Sequence, residues 1–362
     1  GATWTKIIQG LPAGAFVHAV REDPIRQGLL YAGTEHGVYV SFDDGAGWEP
    51  LSLNLPDVAV TALVVTARDV VIATHGRSFY VLDDVTPLRQ WPGADDEAAT
   101  RLATPADAVR RVYPAHVDFQ LSSSARSVSV EILDAEGNPV RTLVGGAPRP
   151  AGAHRVTWDL RYPGATVFEN LILEGGDPAV GPLAAPGSYQ VRLTVDGGAV
   201  ETRPFAVLKD PRLADVTDED LQEQLGLALR IRDATSAANE GVIRIRELRR
   251  RIEARLTSTA SEGARNAVSA VLRDLASVEG ELYQVKNQSP KDKIAYPIKL
   301  NDRLTGLRAL LEGGDERPTA AHRRVFEELS RQLETQLARL RRIVDEDLPR
   351  LERLIADKIL EA

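Results

Sequence analysis

The sequence predicts a multidomain β-plus-α protein, with two β-regions followed by a helical one. Three observations carry that prediction. Residues 1–91 hold short strand-like runs at regular spacing, separated by Gly, Pro and Asp turns. Residues 113–210 hold further runs of alternating apolar and polar character. From residue 215 onward, apolar residues recur every three or four positions, the period of an amphipathic helix. A chain of 362 residues has room for two or three such domains.

Composition narrows the function classes. Apolar residues make up 43% and charged residues 27%, ordinary values for a globular chain. A net charge of −8 and a pI near 5.4 argue against general binding to nucleic acid or anionic membrane. No run of apolar residues is long enough to span a bilayer, and no signal peptide is visible. With no Cys there is no disulfide framework and no thiolate metal site. Met is also absent, and we have no physical account of that.

In the first region the strand-like runs are Thr3–Ile8, Phe16–Arg21, Leu29–Gly33, Val38–Phe42, Trp48–Leu53, Val60–Thr66, Val70–Thr74 and Phe79–Leu82. Between two of them lies Ser41-Phe42-Asp43-Asp44-Gly45-Ala46-Gly47-Trp48. The Ser41 and Asp43 side chains suit a tight turn because they accept hydrogen bonds from turn amides. Gly45 supplies left-handed backbone, and Trp48 is a large apolar plug with one N–H to place. Phe16 to Leu53 has the length of one propeller blade, and Val58 to Asp84 starts a second. Strands so spaced suit a sandwich or a propeller; read as a propeller, they make a partial β-propeller of about two blades. Two blades cannot close a ring of about 4–8, so the open edges must pair with something else.

Ser41-x-Asp43-x-Gly45-x-x-Trp48 resembles the Asp-box, or BNR repeat, of β-propellers, where it is a structural staple rather than a catalytic device. Gly1-Ala2-Thr3-Trp4 reads as the second half of another such box. With no initiator Met, this gives the expectation that the chain is the C-terminal part of a longer protein. Glu22-Asp23-Pro24, Leu30 to Tyr39, Asn54-Leu55-Pro56 and Ala73-Thr74-His75-Gly76-Arg77-Ser78-Phe79 follow in order. Together they resemble the end of large bacterial BNR-repeat propellers of the sortilin (VPS10) type, often called glycosyl-hydrolase-like. Tyr80 stands where that pattern would have Trp. The resemblance implies an extracellular or periplasmic location.

Residues 92–112 read as a linker, with Pro92-Gly93, Asp95-Asp96-Glu97 and Pro105. Residues 113–210 read as a second β-domain. Val128–Leu133 alternates, Asp134-Ala135-Glu136-Gly137-Asn138 is a turn, and Pro139–Leu143 begins the return. Gly152–Asp159, Pro186–Leu193 and Val200–Val207 follow. This order is similar to FlgD-like immunoglobulin-like β-sandwich domains, with Trp158 and Tyr189 expected in the core. The insert Tyr162–Ala185 is long for a sandwich loop. Its Phe168, Leu171, Ile172 and Leu173 suit packing on a neighbouring domain.

Residues 215–362 read as an antiparallel helical bundle. Thr217-Asp218-Glu219-Asp220 is an N-terminal cap for a long helix that runs to Leu256. Further helices are expected over Ser261–Asn287, Pro297–Leu311 and Thr319–Ile359, the last kinked or restarted at Pro349. Asn239, Asn266, Asn287 and Asn301 are candidate buried polar contacts. Arg249-Arg250-Arg251 and Arg341-Arg342 lie among Glu247, Glu253, Asp345 and Glu346, which suits a salt-bridged solvated face.

No catalytic constellation, metal site or cofactor site emerges. His18, His36, His116, His154 and His322 are scattered without ligand spacing. No two carboxylates are paired by their pattern, as a glycosidase requires. His75 and Arg77 are the candidate ligand contacts, at the mouth of a propeller. The plainer alternative is a turn at Gly76 with Arg77 paired to Asp83 or Asp84.

The expected function is therefore a non-catalytic structural and interaction segment that completes and presents an exported propeller. Its expected partners are the remaining blades, in the same polypeptide or another chain. Self-association through the helices and a glycan or peptide ligand are further candidates. The alternative is the C-terminal part of an exported glycoside hydrolase, sialidase-like or endoglucanase-like, with its active site in other blades.

Overall fold

The computed structural model describes residues 2–91, 99–255 and 262–356. The chain divides into two compact units, Gly1–Asp159 with Gly187–Leu208, and Leu160–Pro186 with Lys209–Ala362. It is a multidomain β-plus-α protein: strands build the first unit and helices the second.

The first unit opens with two antiparallel meanders. One is β1 (Val17–Glu22), β2 (Leu30–Thr34), β3 (Gly37–Ser41) and β4 (Glu49–Pro50), paired in chain order. The other is β5 (Val60–Val65), β6 (Val70–Thr74) and β7 (Phe79–Leu82), also in chain order. Side-chain chemistry sets the turns. Thr34 Oγ1 accepts the His36 N–H at 3.0 Å, and Thr66 Oγ1 accepts the Asp69 N–H at 2.8 Å. The two sheets stack through Leu29, Tyr31, Val38 and Val40 on one side and Leu63, Val70 and Ile72 on the other. The far face of the first sheet, with Ala32 and Tyr39, is covered by Trp48 and Leu11. A short helix, α1 (Thr86–Gln90), follows.

Two strand expectations change here. Thr3–Ile8 forms no strand; it runs irregularly past the 41–48 turn, with Trp4 93% exposed. Its main chain serves Trp48 instead of a sheet: the Ile7 carbonyl accepts the indole N–H at 2.9 Å. Trp48–Leu53 shrinks to Glu49–Pro50: the Leu51 N–H still reaches the Val38 carbonyl at 2.8 Å, but Leu53 takes left-handed backbone at φ 45° and turns the chain away.

The β-sandwich follows. β8 (Arg101–Leu102), β10 (Ala115–Leu121) and β13 (Gly152–Trp158) form one sheet in the order β13-β10-β8. The other sheet contains β9 (Ala108–Val109), β11 (Ala125–Leu133), β12 (Pro139–Arg149), β14 (Gly187–Val195) and β15 (Gly198–Leu208), in the order β12-β11-β14-β15-β9. The alternation of Val128, Val130 and Ile132 buries all three. Asp134 closes the β11–β12 turn by accepting the N–H groups of Glu136 at 3.1 Å and Asn138 at 2.8 Å. Part of the sequence read as linker joins the sandwich: β8 and β9 pair at sheet edges, and Leu102 and Ala108 are buried. Pro92, Gly93 and Asp95-Asp96-Glu97 lie outside the described residues.

The second unit is helical: α2 (Asp218–Arg255), α3 (Glu262–Leu282), α4 (Leu300–Leu311), α5 (Ala320–Arg342) and α6 (Leu348–Ala356). Thr217 and Asp220 cap α2 reciprocally at 3.1 Å each. Thr319 and His322 do the same for α5. A π turn at Ile343–Asp347 separates α5 from α6, directly before Pro349. Proline has no N–H to donate, so the ladder widens there rather than breaking. Helix α3 ends at Leu282, short of Asn287; Gln284 turns to donate to the Pro297 carbonyl at 2.8 Å. Leu256, Ser261 and Ile359, expected within helices, lie outside the described residues.

The sandwich insert belongs to this helical unit. Phe168, Leu171 and Leu173 pack on its core, and Phe168 meets Tyr283 edge-on at 5.1 Å. Buried polar groups pin the insert in register. Asn301 donates to Asn239 Oδ1 at 2.8 Å, and Asn239 donates to the Thr166 carbonyl at 2.7 Å. The Asp302 carboxylate accepts the Glu174 and Gly175 N–H groups. Asn287 donates to the Ile172 carbonyl at 3.5 Å, whereas Asn266 is exposed. Each arginine-rich run makes an ion pair, though not with the carboxylates beside it in the sequence: Arg249 holds Glu279 at 3.1 Å, and Arg341 holds Glu334.

Candidate functional site

The 41–48 turn is a self-contained hydrogen-bonded loop. Ser41 Oγ donates to Asp43 Oδ1 at 2.7 Å and accepts the Gly45 N–H at 2.8 Å. Asp43 Oδ1 also accepts the Gly47 N–H at 2.9 Å. The Gly47 N–H and the Ser41 hydroxyl together hold the Asp43 carboxyl below its ordinary range. Gly45 sits at φ 86°, and a Cβ there would fall 2.7 Å from Ile7 Cδ1. Trp48 is buried; its main-chain N–H donates to Gln9 and its indole N–H to Ile7. These bonds commit Ser41 and Asp43 to holding the turn. Asp43→Ala is expected to destabilise the first unit by about 1–2 kcal/mol, read from its urea unfolding midpoint. That contribution belongs to the ionised form, so it is lost as pH falls through the depressed pKa.

His75 and Arg77 sit in the β6–β7 turn, and both are exposed. The His75 N–H donates to the Ala59 carbonyl and the Arg77 N–H to Thr74 Oγ1. Arg77 makes no ion pair with Asp83 or Asp84 among the described residues. The carbonyls of those two residues are taken by Arg155, at 2.7 and 2.8 Å.

Two arginine–aspartate pairs hold the first unit together. Asp23 has no exposed side-chain surface and receives Arg89 Nε on both oxygens, at 2.9 and 3.0 Å. It also accepts the Ile25 and Arg26 N–H groups and the Tyr31 hydroxyl. Burial pushes the Asp23 carboxyl up, but Arg89 and the two amides outweigh that, and the net shift is downward. The Tyr31 hydroxyl is pushed up by its burial and by Asp23. The second pair is Asp118 with Arg155, at 2.8 Å. Here burial wins over the guanidinium and raises the Asp118 carboxyl. Neither pair was legible in the sequence, because each joins residues far apart in the chain.

Beside Asp118 lies a pocket of 330 Å³ lined by Leu51, Leu53, Leu82, Leu88, Trp91 and Arg155, among others. Its polar neighbours are committed: Arg155 to Asp118 and two carbonyls, and His154 to the Pro150 carbonyl at 2.8 Å. The Trp91 indole N–H is buried with no acceptor among the described residues. No group of three or more His, Asp or Glu side chains that could hold a metal occurs among the described residues. No described helix is long and apolar enough to cross a membrane.

The most unusual surface is the outer face of the β5–β6–β7 sheet. Strand pairing aligns Val64, Val71 and Val81 in one row and Ala62, Ala73 and Phe79 in the next. All six are apolar and share a face, with no charged residue in either row. Phe79 is 74% exposed, Val64 59% and Val81 52%. Sequence reasoning placed these strands but missed this face. The signal was present: the strands Val60–Val65 and Phe79–Leu82 are apolar on both alternations, the pattern of a sheet covered on both sides.

Residues 106–167 match the FlgD Ig-like domain family. A comparison with curated proteins gives no match. Among solved structures, the extracellular domain of a hybrid two-component system from B. thetaiotaomicron is 11% identical, with 56% of this chain and 26% of that chain covered and a TM-score of 0.18. A chain named pT26-6p is also 11% identical, with 71% of this chain and 49% of that chain covered and a TM-score of 0.15. This chain thus spans about a quarter and about half of those two chains.

Proposed function

We propose that this chain is a non-catalytic structural and interaction segment that supplies the last blades of an exported β-propeller of the Asp-box type, with an immunoglobulin-like domain and a helical bundle attached. The observation that carries the reading is the outer face of β5–β7. A sheet apolar on both sides is covered on one side only, by the first meander. Contiguous exposed apolar surface of this kind marks an interaction site. The covered side indicates what fits the open one: the same sheet already receives a β-sheet face to face, and a further blade would extend the stack. The turn at Ser41, Asp43, Gly45 and Trp48 supports the Asp-box resemblance, because each of the four residues has a structural task there.

In this reading His75 and Arg77, exposed beside the open face, are candidate contacts for an anionic or glycan ligand. Export enters this reading only through the resemblance to exported Asp-box propellers. Helices α2–α6 offer only Leu310 and Val325 as large exposed apolar residues among those described, so we assign them no interface. Intact-mass measurement and N-terminal sequencing of the protein from its native source test the proposal. The expected result is further Ser-x-Asp-x-Gly-x-x-Trp repeats on the same or a co-purifying polypeptide. Isolation of a lone monomer of 39.4 kDa would overturn it, as would glycan hydrolysis by that lone chain.

A further inference from the structure

The 330 Å³ pocket beside Asp118 is assembled from separate pieces of the first unit. Leu51 comes from the chain after β4, Leu82 from the end of β7, Leu88 from α1 with Trp91 just after it, and Asp118 and Arg155 from the sandwich. Pockets of about 300–1,000 Å³ hold small molecules, and they gather where packed modules meet.

The frame of the pocket is tied together by its own polar groups. Arg155 donates to both Asp118 oxygens, at 2.8 and 3.1 Å, and to the Asp83 and Asp84 carbonyls. Arg26 fixes the end of α1 by donating to the Leu88 and Trp91 carbonyls, at 2.9 and 2.7 Å. Gln90 exchanges two hydrogen bonds with the Thr104 main chain, each at 2.8 Å. A pocket whose walls are fixed before binding loses little freedom when a ligand enters.

One polar group in the wall stands apart. The Trp91 indole N–H is buried and has no acceptor among the described residues. A buried donor left without an acceptor bears the full cost of its desolvation, and a buried indole ordinarily finds a partner. Trp48 does so, with its N–H on the Ile7 carbonyl at 2.9 Å. The Trp91 main chain is held by Arg26, so the missing partner does not reflect a loose chain. Its side chain is half-buried, which leaves the ring room to present the N–H to an acceptor.

These features select a ligand. Leu51, Leu82 and Leu88 give the pocket aliphatic walls, which suit an apolar body. Arg155 and Asp118 neutralise each other, so neither recruits a counter-ion. The indole offers a single donor, which calls for a single acceptor. We propose that this pocket binds a small neutral molecule with an apolar body and one oxygen acceptor, such as a ketone, ester or ether, and that the acceptor takes the Trp91 indole N–H. This inference does not require any further propeller blade.

The test uses the full 362-residue chain with acetophenone and ethylbenzene, which match in shape and differ in the carbonyl. Ligand proton relaxation gives the affinities, and ¹⁵N–¹H spectra follow the indole groups. The Trp91 signal is the one missing from Trp91→Phe. Acetophenone is expected to bind saturably below about 1 mM and to move that indole proton downfield. Trp91→Phe should weaken acetophenone about tenfold and leave ethylbenzene within about twofold, because only the ketone loses a hydrogen bond. Ethylbenzene thereby reports that the pocket is still formed. Ala153 lies in the wall but is exposed, so Ala153→Phe should fill the pocket without lowering the thermal midpoint. Both ligands should then weaken about tenfold. Absence of saturable acetophenone binding up to about 1 mM would overturn the proposal. Equal weakening of both ligands by Trp91→Phe would do the same, as would unchanged acetophenone binding in Ala153→Phe. Benzylamine binding more tightly than acetophenone would also overturn it, by making Asp84 or Asp118 the recognising group. None of these results bears on further blades, which native mass and sequencing decide separately.

Discussion

Arg89→Ala is expected to destabilise the first unit by about 3–5 kcal/mol at pH 7, because it strands the Asp23 carboxylate in the protein interior. Asp23 has no exposed side-chain surface, and Arg89 engages both its oxygens. The same guanidinium also donates to the Thr66 and Ala67 carbonyls, so alanine leaves three acceptors short of a partner. Asp23→Asn should be milder, since its amide oxygen can still accept the Ile25 and Arg26 N–H groups. The pH dependence has a definite sign. In the intact protein the Asp23 pKa is depressed, so its contribution is full above the unfolded value and lost as pH falls through the folded one. In Arg89→Ala burial acts without its largest counterweight, and the carboxyl pKa rises relative to the intact protein. The penalty should therefore shrink as pH falls and the stranded group takes up a proton. Unfolding followed by tryptophan fluorescence isolates this unit, because Trp4, Trp48, Trp91 and Trp158 all lie in it. A difference from the parent protein that stays flat from pH 7 to pH 3 would contradict the account.

Trp158→Ala is expected to cost about 3–5 kcal/mol in the same unit. Trp158 is fully buried and is the hub of an aromatic cluster. Its ring lies 5.3 Å from Tyr189 and 6.1 Å from Phe205, so one substitution empties a site bounded by β13, β14 and β15. The cavity cannot collapse, because its walls belong to two different sheets. Trp158→Phe should recover part of the loss by refilling volume. Far-ultraviolet circular dichroism at 222 nm, dominated by the helices, serves as the internal control. A Trp158→Ala protein whose urea midpoint moves by less than about 1 kcal/mol equivalent would show that the sandwich core is organised elsewhere.

The local patterns that survived folding share one property: their chemistry acts over a few residues. Ser41, Asp43 and Gly45 lie within one turn, Thr217 and Asp220 within one cap, and Asp134 bonds Glu136 and Asn138. Such contacts form wherever the rest of the chain goes, so they are legible directly. Thr3–Ile8 shows the opposite case. Its residues favour a strand, but a strand needs a partner edge, and here the Ile7 carbonyl answers the Trp48 indole N–H instead. Propensity yielded to tertiary hydrogen bonding.

The candidate site follows the same division. His75 and Arg77 could be singled out from the sequence as unusual residues at a Gly turn, but exposure alone does not assign them a ligand. The outer face of β5–β7 required strand register, because Ala62, Ala73 and Phe79 become one row only when three strands align. The pocket beside Asp118 required Leu51, Trp91 and Arg155 to be brought together from distant parts of the chain.

The sequence by itself determined the order of β and α regions, the helix caps, the turn chemistry and the aromatic pair at the sandwich centre. These depend on periodicity and short-range bonding, which are written along the chain. Only the tertiary structure decided which apolar faces are covered, which carboxylates meet arginines, and that the 160–186 insert joins the helices. Those outcomes depend on which surfaces compete successfully for burial, and that competition runs between segments tens of residues apart.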